Sequence, residues 1–309
     1  MNITTSPSPH EETPALRERA LVLGGAGSAG NAWLIGIIAG LADAGLDATT
    51  ADLIIGTSAG ATTAAQITGA RPVALLDQIL SAPSGAPRSR PTASRPTSSG
   101  ASAVSAQLTR TQRIIDASDG PADMRRRMGA AAIELAAASP EAGPRWREIV
   151  ARRLPRQEWP ERHMLLTAVD AATGEPVMFD RDSGVDLVDA VAASCASGFA
   201  YGIGSASYID GGYRSNADNA DLAVGCRRVL VLSPFGGASR VPAAWGTHLS
   251  AQVADLRSRG SVVETLFPDE ESRAAFGDNV MDPSTRAPAA RSGFAQGRSS
   301  AATLLAFWD

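Results

Sequence analysis

Short apolar runs alternate along this chain with longer stretches in which apolar residues recur every three or four positions. Ala20-Leu21-Val22-Leu23 predicts a short buried strand. Trp33, Ile37, Ile38 and Leu41 then recur at helical spacing, and Ala44-Gly45 is the expected stop. Leu53-Ile54-Ile55 predicts a second buried strand, followed by helix over 61–67 and again over 73–80. Residues 108–153 alternate apolar and basic positions at helical spacing, with Pro121, Pro140 and Pro144 where helices would start. A strand over 165–170, a turn at Thr173-Gly174-Glu175 and a returning strand over 176–179 predict a hairpin. Helix is predicted over 185–193, strand over 228–232, helix over 245–259, strand over 262–267 and a closing helix over 283–308. Strands alternating with helices, with no internal repeat, predict an α/β domain with a largely parallel sheet.

Two stretches break this pattern. Residues 1–19 are polar, with Pro7, Pro9 and Pro14, and read as a disordered tail with no apolar core of a signal peptide or membrane anchor. Residues 81–105 are rich in Pro, Ser, Ala and Gly and carry Arg88, Arg90 and Arg95. They read as a flexible loop, either a solvated linker or a mobile lid that meets anionic head groups. One domain over 20–309 is therefore expected, with that loop inside it.

Composition narrows the function classes. The net charge of −4 gives no basic field for nucleic acid, although every one of the 28 basic residues is arginine. Cys195 and Cys226 make no disulfide framework; both are expected as small buried residues and fit a reducing, cytoplasmic compartment. No His and Cys cluster has metal-ligand spacing, and no cofactor is expected. No uncharged apolar run reaches the roughly 18 residues a membrane-spanning helix needs.

The candidate chemistry starts at the second strand, which runs straight into Gly56-Thr57-Ser58-Ala59-Gly60. A strand, a sharp turn and a helix with serine at the apex is the context of a nucleophile elbow. Such a turn forces Ser58 into a strained backbone conformation. A side chain at Gly56 or Gly60 would collide with the neighbouring strand and helix. The hydroxyl is left at a helix N-terminus, where free N–H groups and the dipole favour negative charge. The same residues also fit an ordinary glycine- and serine-rich turn.

Gly25-Ala26-Gly27-Ser28-Ala29-Gly30 satisfies Gly-x-Gly-x-x-Gly between a strand and a helix, so a dinucleotide site competes. That site also wants an acidic residue at the tip of the second strand, where this chain has Gly56-Thr57-Ser58; Asp52 lies at the wrong end. The other use of such a loop is an oxyanion hole, where glycines let N–H groups face a developing anion and each donor is worth about 100- to 1000-fold in rate. Adjacent parallel strands would set this loop beside Ser58.

Ser58 needs a base. Asp210 follows the strand-like pair Tyr208-Ile209, and Gly211 and Gly212 allow a tight turn that aims a carboxylate. Ser58, Asp210 and His248 would give the chain order of an α/β-hydrolase triad, but His248 falls within a predicted helix. His163 opens a strand and reads as structural; His10 lies in the tail.

Together, Leu21 through Gly30, Gly56 through Gly60 and Asp210-Gly211-Gly212 resemble, in order, the three motifs of the patatin-like phospholipase family. The stretches 168–175, 190–196 and 219–223 are also similar. The resemblance implies a three-layer α/β/α fold with a mostly parallel central sheet. It also implies a serine–aspartate dyad hydrolase of lipid acyl esters, with transient contact at a membrane surface. By motif position Ser58 would be the nucleophile, Asp210 the base, and the amides of Gly25, Ala26 and Gly27 the oxyanion hole; Gly30, Gly56, Gly60, Gly211 and Gly212 would be motif glycines. An acyltransferase, a specialised esterase or a non-catalytic lipid-binding module would share this framework. Two departures stand out: family members usually carry Gly at Ala26 and a basic residue at Ala29, and the stretch 197–202 lacks the expected prolines. Restoring arginine at 29 is expected to have a modest, head-group-dependent effect, and the wall of the acyl pocket is expected to differ.

Overall fold

In the computed structural model, which describes residues 17–82 and 99–308, the apolar runs become strands of one sheet. They are β1 (Arg17–Leu23), β2 (Leu53–Gly56), β3 (His163–Asp170), β4 (Pro176–Phe179), β5 (Tyr201–Ile203), β6 (Ala206–Asp210), β7 (Cys226–Leu232) and β8 (Val262–Leu266). Their order is β5-β6-β3-β2-β1-β7-β8, with β4 paired to β3. The β1–β2, β1–β7, β2–β3 and β7–β8 pairs are parallel. The hairpin β3–β4 and the pairs β3–β6 and β5–β6 are antiparallel, so the sheet is mixed but mostly parallel.

The helices are α1 (Gly27–Asp43), α2 (Ala59–Gly69), α3 (Pro72–Ser81), α4 (Ser99–Asp116), α5 (Pro121–Ala137), α6 (Ala142–Ala151), α7 (Leu187–Ser194), α8 (Leu249–Ser258), α9 (Glu270–Phe276) and α10 (Arg286–Trp308). Successive strand residues point to opposite faces, and here both faces are covered. Leu21, Leu23, Ile54, Leu230 and Leu232 pack into the core formed with α1, α2, α7 and α10. Ala20, Val22, Leu53, Ile55, Val229 and Val231 face Leu249, Val253 and Leu256 of α8. Val169 and Ile209 meet Met124 and Met128 of α5. This is the three-layer α/β/α arrangement. It explains why the strands read as unbroken apolar runs rather than alternating ones. Helix α1 is buried along most of its length, held between the sheet and α10. The two helices cross closely: a Cβ on Gly36 would lie 2.3 Å from the Ala290 carbonyl oxygen.

The structure corrects several expected boundaries. Residues 17–19, expected in the tail, extend β1: Arg17 and Arg19 pair with Cys226 and Arg228, and Asp52 Oδ2 accepts the amides of Glu18 and Arg19. The rest of that tail (1–16) and residues 83–98 of the expected loop lie outside the described residues. The end of that loop is helical, because α4 begins at Ser99 in a run that holds no proline. The helix expected over 245–259 is interrupted. A single 3-10 turn over Ala243–Trp245 ends at Gly246 in the left-handed region (φ 68°), and α8 starts at Leu249 with His248 as its N-cap. Cys226 is buried as expected, whereas Cys195 is partly exposed.

Candidate active site

The β1–β2 register sets Leu23 opposite Gly56, so the glycine loop after β1 and the turn after β2 leave the same sheet edge. Ser58 sits between β2 and α2 with φ 54° and ψ −115°. A non-glycine residue held in that region is strained by about 1–3 kcal/mol. The surroundings impose it. The Ser58 amide donates to Ser194 Oγ (3.0 Å), the Thr57 amide to the Leu23 carbonyl (3.1 Å) and the Gly60 amide to the Thr57 carbonyl (2.8 Å). The Cys195 thiol donates to the Ser58 carbonyl at 3.0 Å; although the residue keeps some surface exposure, desolvation of the sulfur pushes its pKa up to about 12, so it stays a thiol. The two elbow glycines are required by contact. A Cβ on Gly60 would lie 1.9 Å from the Leu23 carbonyl oxygen, and one on Gly56 would lie 2.7 Å from the Ala61 Cα.

Asp210 ends β6 and pairs with Ala168 of β3. The structure brings it to Ser58: the serine hydroxyl donates to Asp210 Oδ2 at 2.7 Å, and the Gly212 amide donates to Oδ1 at 2.8 Å. The carboxylate is only 7% exposed. Burial pushes its pKa up to about 6, against the downward pull of those two donors. Gly211 must be glycine because a Cβ there would lie 2.1 Å from Thr167 Oγ1.

A buried polar hub joins the serine turn to the aspartate turn. Thr167 Oγ1 donates to Thr57 Oγ1 (2.9 Å), and Asn219 Nδ2 donates to Thr57 Oγ1 (3.0 Å) and to the Gly211 carbonyl (3.0 Å). Thr57, Thr167 and Asn219 are fully buried. Sequence reasoning did not assign these three residues, nor Ser194. No spacing in the sequence ties them together, since they come from separate segments that the fold brings into contact.

The glycine loop lies against the serine: a Cβ on Gly25 would be 3.1 Å from Ser58 Cβ. Of the three amides expected in the oxyanion hole, that of Gly25 is already used. It donates to the Ala217 carbonyl at 2.8 Å, which anchors the loop. The amides of Ala26 and Gly27, at the start of α1, donate to no backbone or side-chain acceptor among the described residues. Ala26 has a φ of 178°, outside the left-handed region that calls for glycine, while Gly27 is left-handed at φ 58°. Gly30 is needed because a Cβ would lie 2.5 Å from that of Ala26. Ala29 is fully buried and its amide donates to the Val280 carbonyl (2.9 Å).

The histidines stand apart from this constellation. His248 Nε2 contacts the Val241 carbonyl (2.9 Å), and His163 Nε2 contacts Arg17 Nη2 (3.3 Å). His10 lies outside the described residues. Among the described residues, no three or more His, Cys, Asp or Glu side chains gather into a group that could hold a metal ion. Phe199, Ala200 and Tyr201, from the stretch that departs from the family pattern, line a crevice of about 680 Å³ with Ile133 and Pro140.

Ser58 on its strand-to-helix turn, the glycine loop and the Asp210 carboxylate thus meet at one edge of a mostly parallel sheet. Residues 21–223, more than half of the chain, match the model of the patatin-like phospholipases, and the chain belongs to that family of lipid acyl hydrolases. A search of curated proteins finds no match. Among the described residues no helix is long and apolar enough to cross a membrane.

Proposed function

We propose that this protein hydrolyses acyl esters of lipids, in the manner of a phospholipase A or lysophospholipase, with Ser58 as nucleophile and Asp210 as base. The observation that carries this reading is the 2.7 Å hydrogen bond from Ser58 Oγ to Asp210 Oδ2, with no histidine between them. Asp210 takes the hydroxyl proton as Ser58 Oγ bonds to the acyl carbon. The carbonyl oxygen becomes an oxyanion facing the Ala26 and Gly27 amides at the N-terminus of α1. Collapse breaks the ester C–O bond, and Asp210 returns its proton to the departing alkoxide. Water then loses a proton to Asp210 and attacks the acyl carbon; collapse breaks the bond to Ser58 Oγ and frees the acid, and Asp210 returns the proton to Oγ. A carboxylate near its ordinary pKa of 3.8 would be a poor base at neutral pH, and burial improves the match by lifting it to about 6.

The test is labelling with a fluorophosphonate alongside turnover of p-nitrophenyl butyrate. Ser58→Ala is expected to abolish both in a folded protein, and Asp210→Asn to cost nearly as much turnover. His248→Ala and His163→Ala should each keep most activity. Absence of labelling in the wild type would favour a lipid-binding role without catalysis. A folded His248→Ala protein slowed by orders of magnitude would replace the dyad with a triad.

A further inference from the structure

We propose that Asn31 and Arg286 are a positioning pair that holds the glycine loop in register with the nucleophile helix. This rests on the Ser58–Asp210 reading and adds to it a residue, Arg286, that lies beyond the span matched by the family model.

Asn31 is the one polar side chain among the buried positions of α1, at 5% exposure. Both its amide nitrogen and its amide oxygen are engaged. Nδ2 donates to Thr63 Oγ1 (2.9 Å) and Gln66 Oε1 (2.8 Å) of α2, and Oδ1 accepts from Arg286 Nη1 (3.1 Å). Thr63 Oγ1 in turn donates to the carbonyl of Ala59, the residue next to Ser58 (3.0 Å). A continuous chain of hydrogen bonds thus runs from the start of α10, through the first turns of α1, to the residue that follows the serine.

Arg286 grips α1 at a second point. Nη1 also lies 3.2 Å from the Ser28 carbonyl oxygen and 3.4 Å from Ser28 Oγ. Every acceptor of Nη1 is neutral, and a cation at the first turn of a helix works against the helix dipole. Ion pairing therefore does not account for this placement; the three oxygen acceptors do. The chain ties together two helix starts, one presenting the Ala26 and Gly27 amides and the other carrying Ser58. Their relative offset sets the distance from Oγ to the oxyanion donors. Apolar contact between α1 and α2 is non-directional and tolerates sliding, whereas an amide engaged at both its nitrogen and its oxygen does not. A misplacement of about 1 Å at a reacting centre can cost on the order of 100-fold.

The experiment compares wild type, Ser58→Ala, Asn31→Leu, Arg286→Gln and Arg286→Lys, with circular dichroism to establish folding. Each is measured for kcat and KM on p-nitrophenyl butyrate and for inhibition by a trifluoromethyl ketone, whose adduct with Ser58 places an oxyanion in the same hole. Asn31→Leu and Arg286→Gln are expected to lower kcat by roughly 10- to 100-fold, with KM within about threefold, and to weaken the ketone by a similar factor. Arg286→Lys, which keeps a donor, should recover most of the rate. Folded variants with unchanged kcat, or with a loss confined to KM, overturn the proposal. Should Asn31→Leu not fold, Arg286→Gln decides alone, because Arg286 is only partly buried. A wild type without Ser58-dependent turnover refutes the hydrolase reading itself and removes the pair's role with it.

Discussion

Replacing Asp210 by asparagine should stabilise the protein while destroying its activity, and the gain should grow with pH. The asparagine fits the site: its oxygen can accept the Gly212 amide and its NH₂ can donate to Ser58 Oγ, while the partly exposed serine hydroxyl turns its own proton away from residue 210. What changes is charge. Asp210 ionises at about 6 in the fold against an ordinary 3.8. The folded pKa is raised, so the favourable contribution of the protonated acid is complete below 3.8 and is lost as pH rises through 6. A difference of about two units corresponds to roughly 3 kcal/mol at pH 8, and linkage leaves under about 1 kcal/mol at pH 4. The asparagine side chain does not ionise, so the gap between the two proteins carries this pH dependence alone. Thermal unfolding across pH 4 to 8 is the assay, with a Tm difference of roughly 5 °C expected to open towards pH 8. A gap that stays constant with pH, or a variant less stable at pH 8, would show that Asp210 is not a desolvated carboxylate.

The same shift would govern rate under the proposed dyad: kcat/KM should fall on the acid side with an apparent pKa of about 6, because in that scheme only the ionised Asp210 accepts the Ser58 proton, and a limb near 4 would contradict the burial. Gly27→Val should depress kcat strongly, since a Cβ there would lie 2.4 Å from Met281 Sδ and the left-handed φ resists a branched residue; unchanged kcat with raised KM would exclude the oxyanion role. Ala29→Arg, which looks mild from the motif alone, should lower both Tm and activity, because the position is fully buried and its amide holds Val280; an unshifted Tm would refute this.

Periodicity located most elements of the sheet and its helices because both faces of the sheet are covered, which turns strands into unbroken apolar runs such as Leu53-Ile54-Ile55. What it missed has local causes. β5 is only three residues long, with a glycine at its centre, and pairs only with β6 in the sheet order. α9 is seven residues, too short for a helical period to emerge, and is started by Asp269 accepting the Ser272 amide. The break at Gly246 was hidden because alanine and tryptophan before it read as helix. The site was more legible than the boundaries. Glycines at 56, 60, 211 and 30 mark places where backbone or side chain leaves no room for a Cβ, and such exclusions are written directly into residue type. The polar supports were not legible: Thr57, Thr167 and Asn219 come from three distant segments, and only the sheet register and the turn after β6 bring them together.

The two strained features of the site both cost stability and share one use. Ser58 is held in a backbone region that costs about 1–3 kcal/mol, and Asp210 is held where its charge is unfavourable. Neither would survive in a pliable setting. A relaxed turn would withdraw the hydroxyl, and a wetter pocket would return the carboxylate to a pKa too low for a base. Both are fixed by the same hub, since Asn219 reaches the serine side through Thr57 and the aspartate side through the Gly211 carbonyl. Loosening the hub should therefore relieve strain and lose rate together. That coupling gives the three fully buried polar side chains a use in the site beyond filling space.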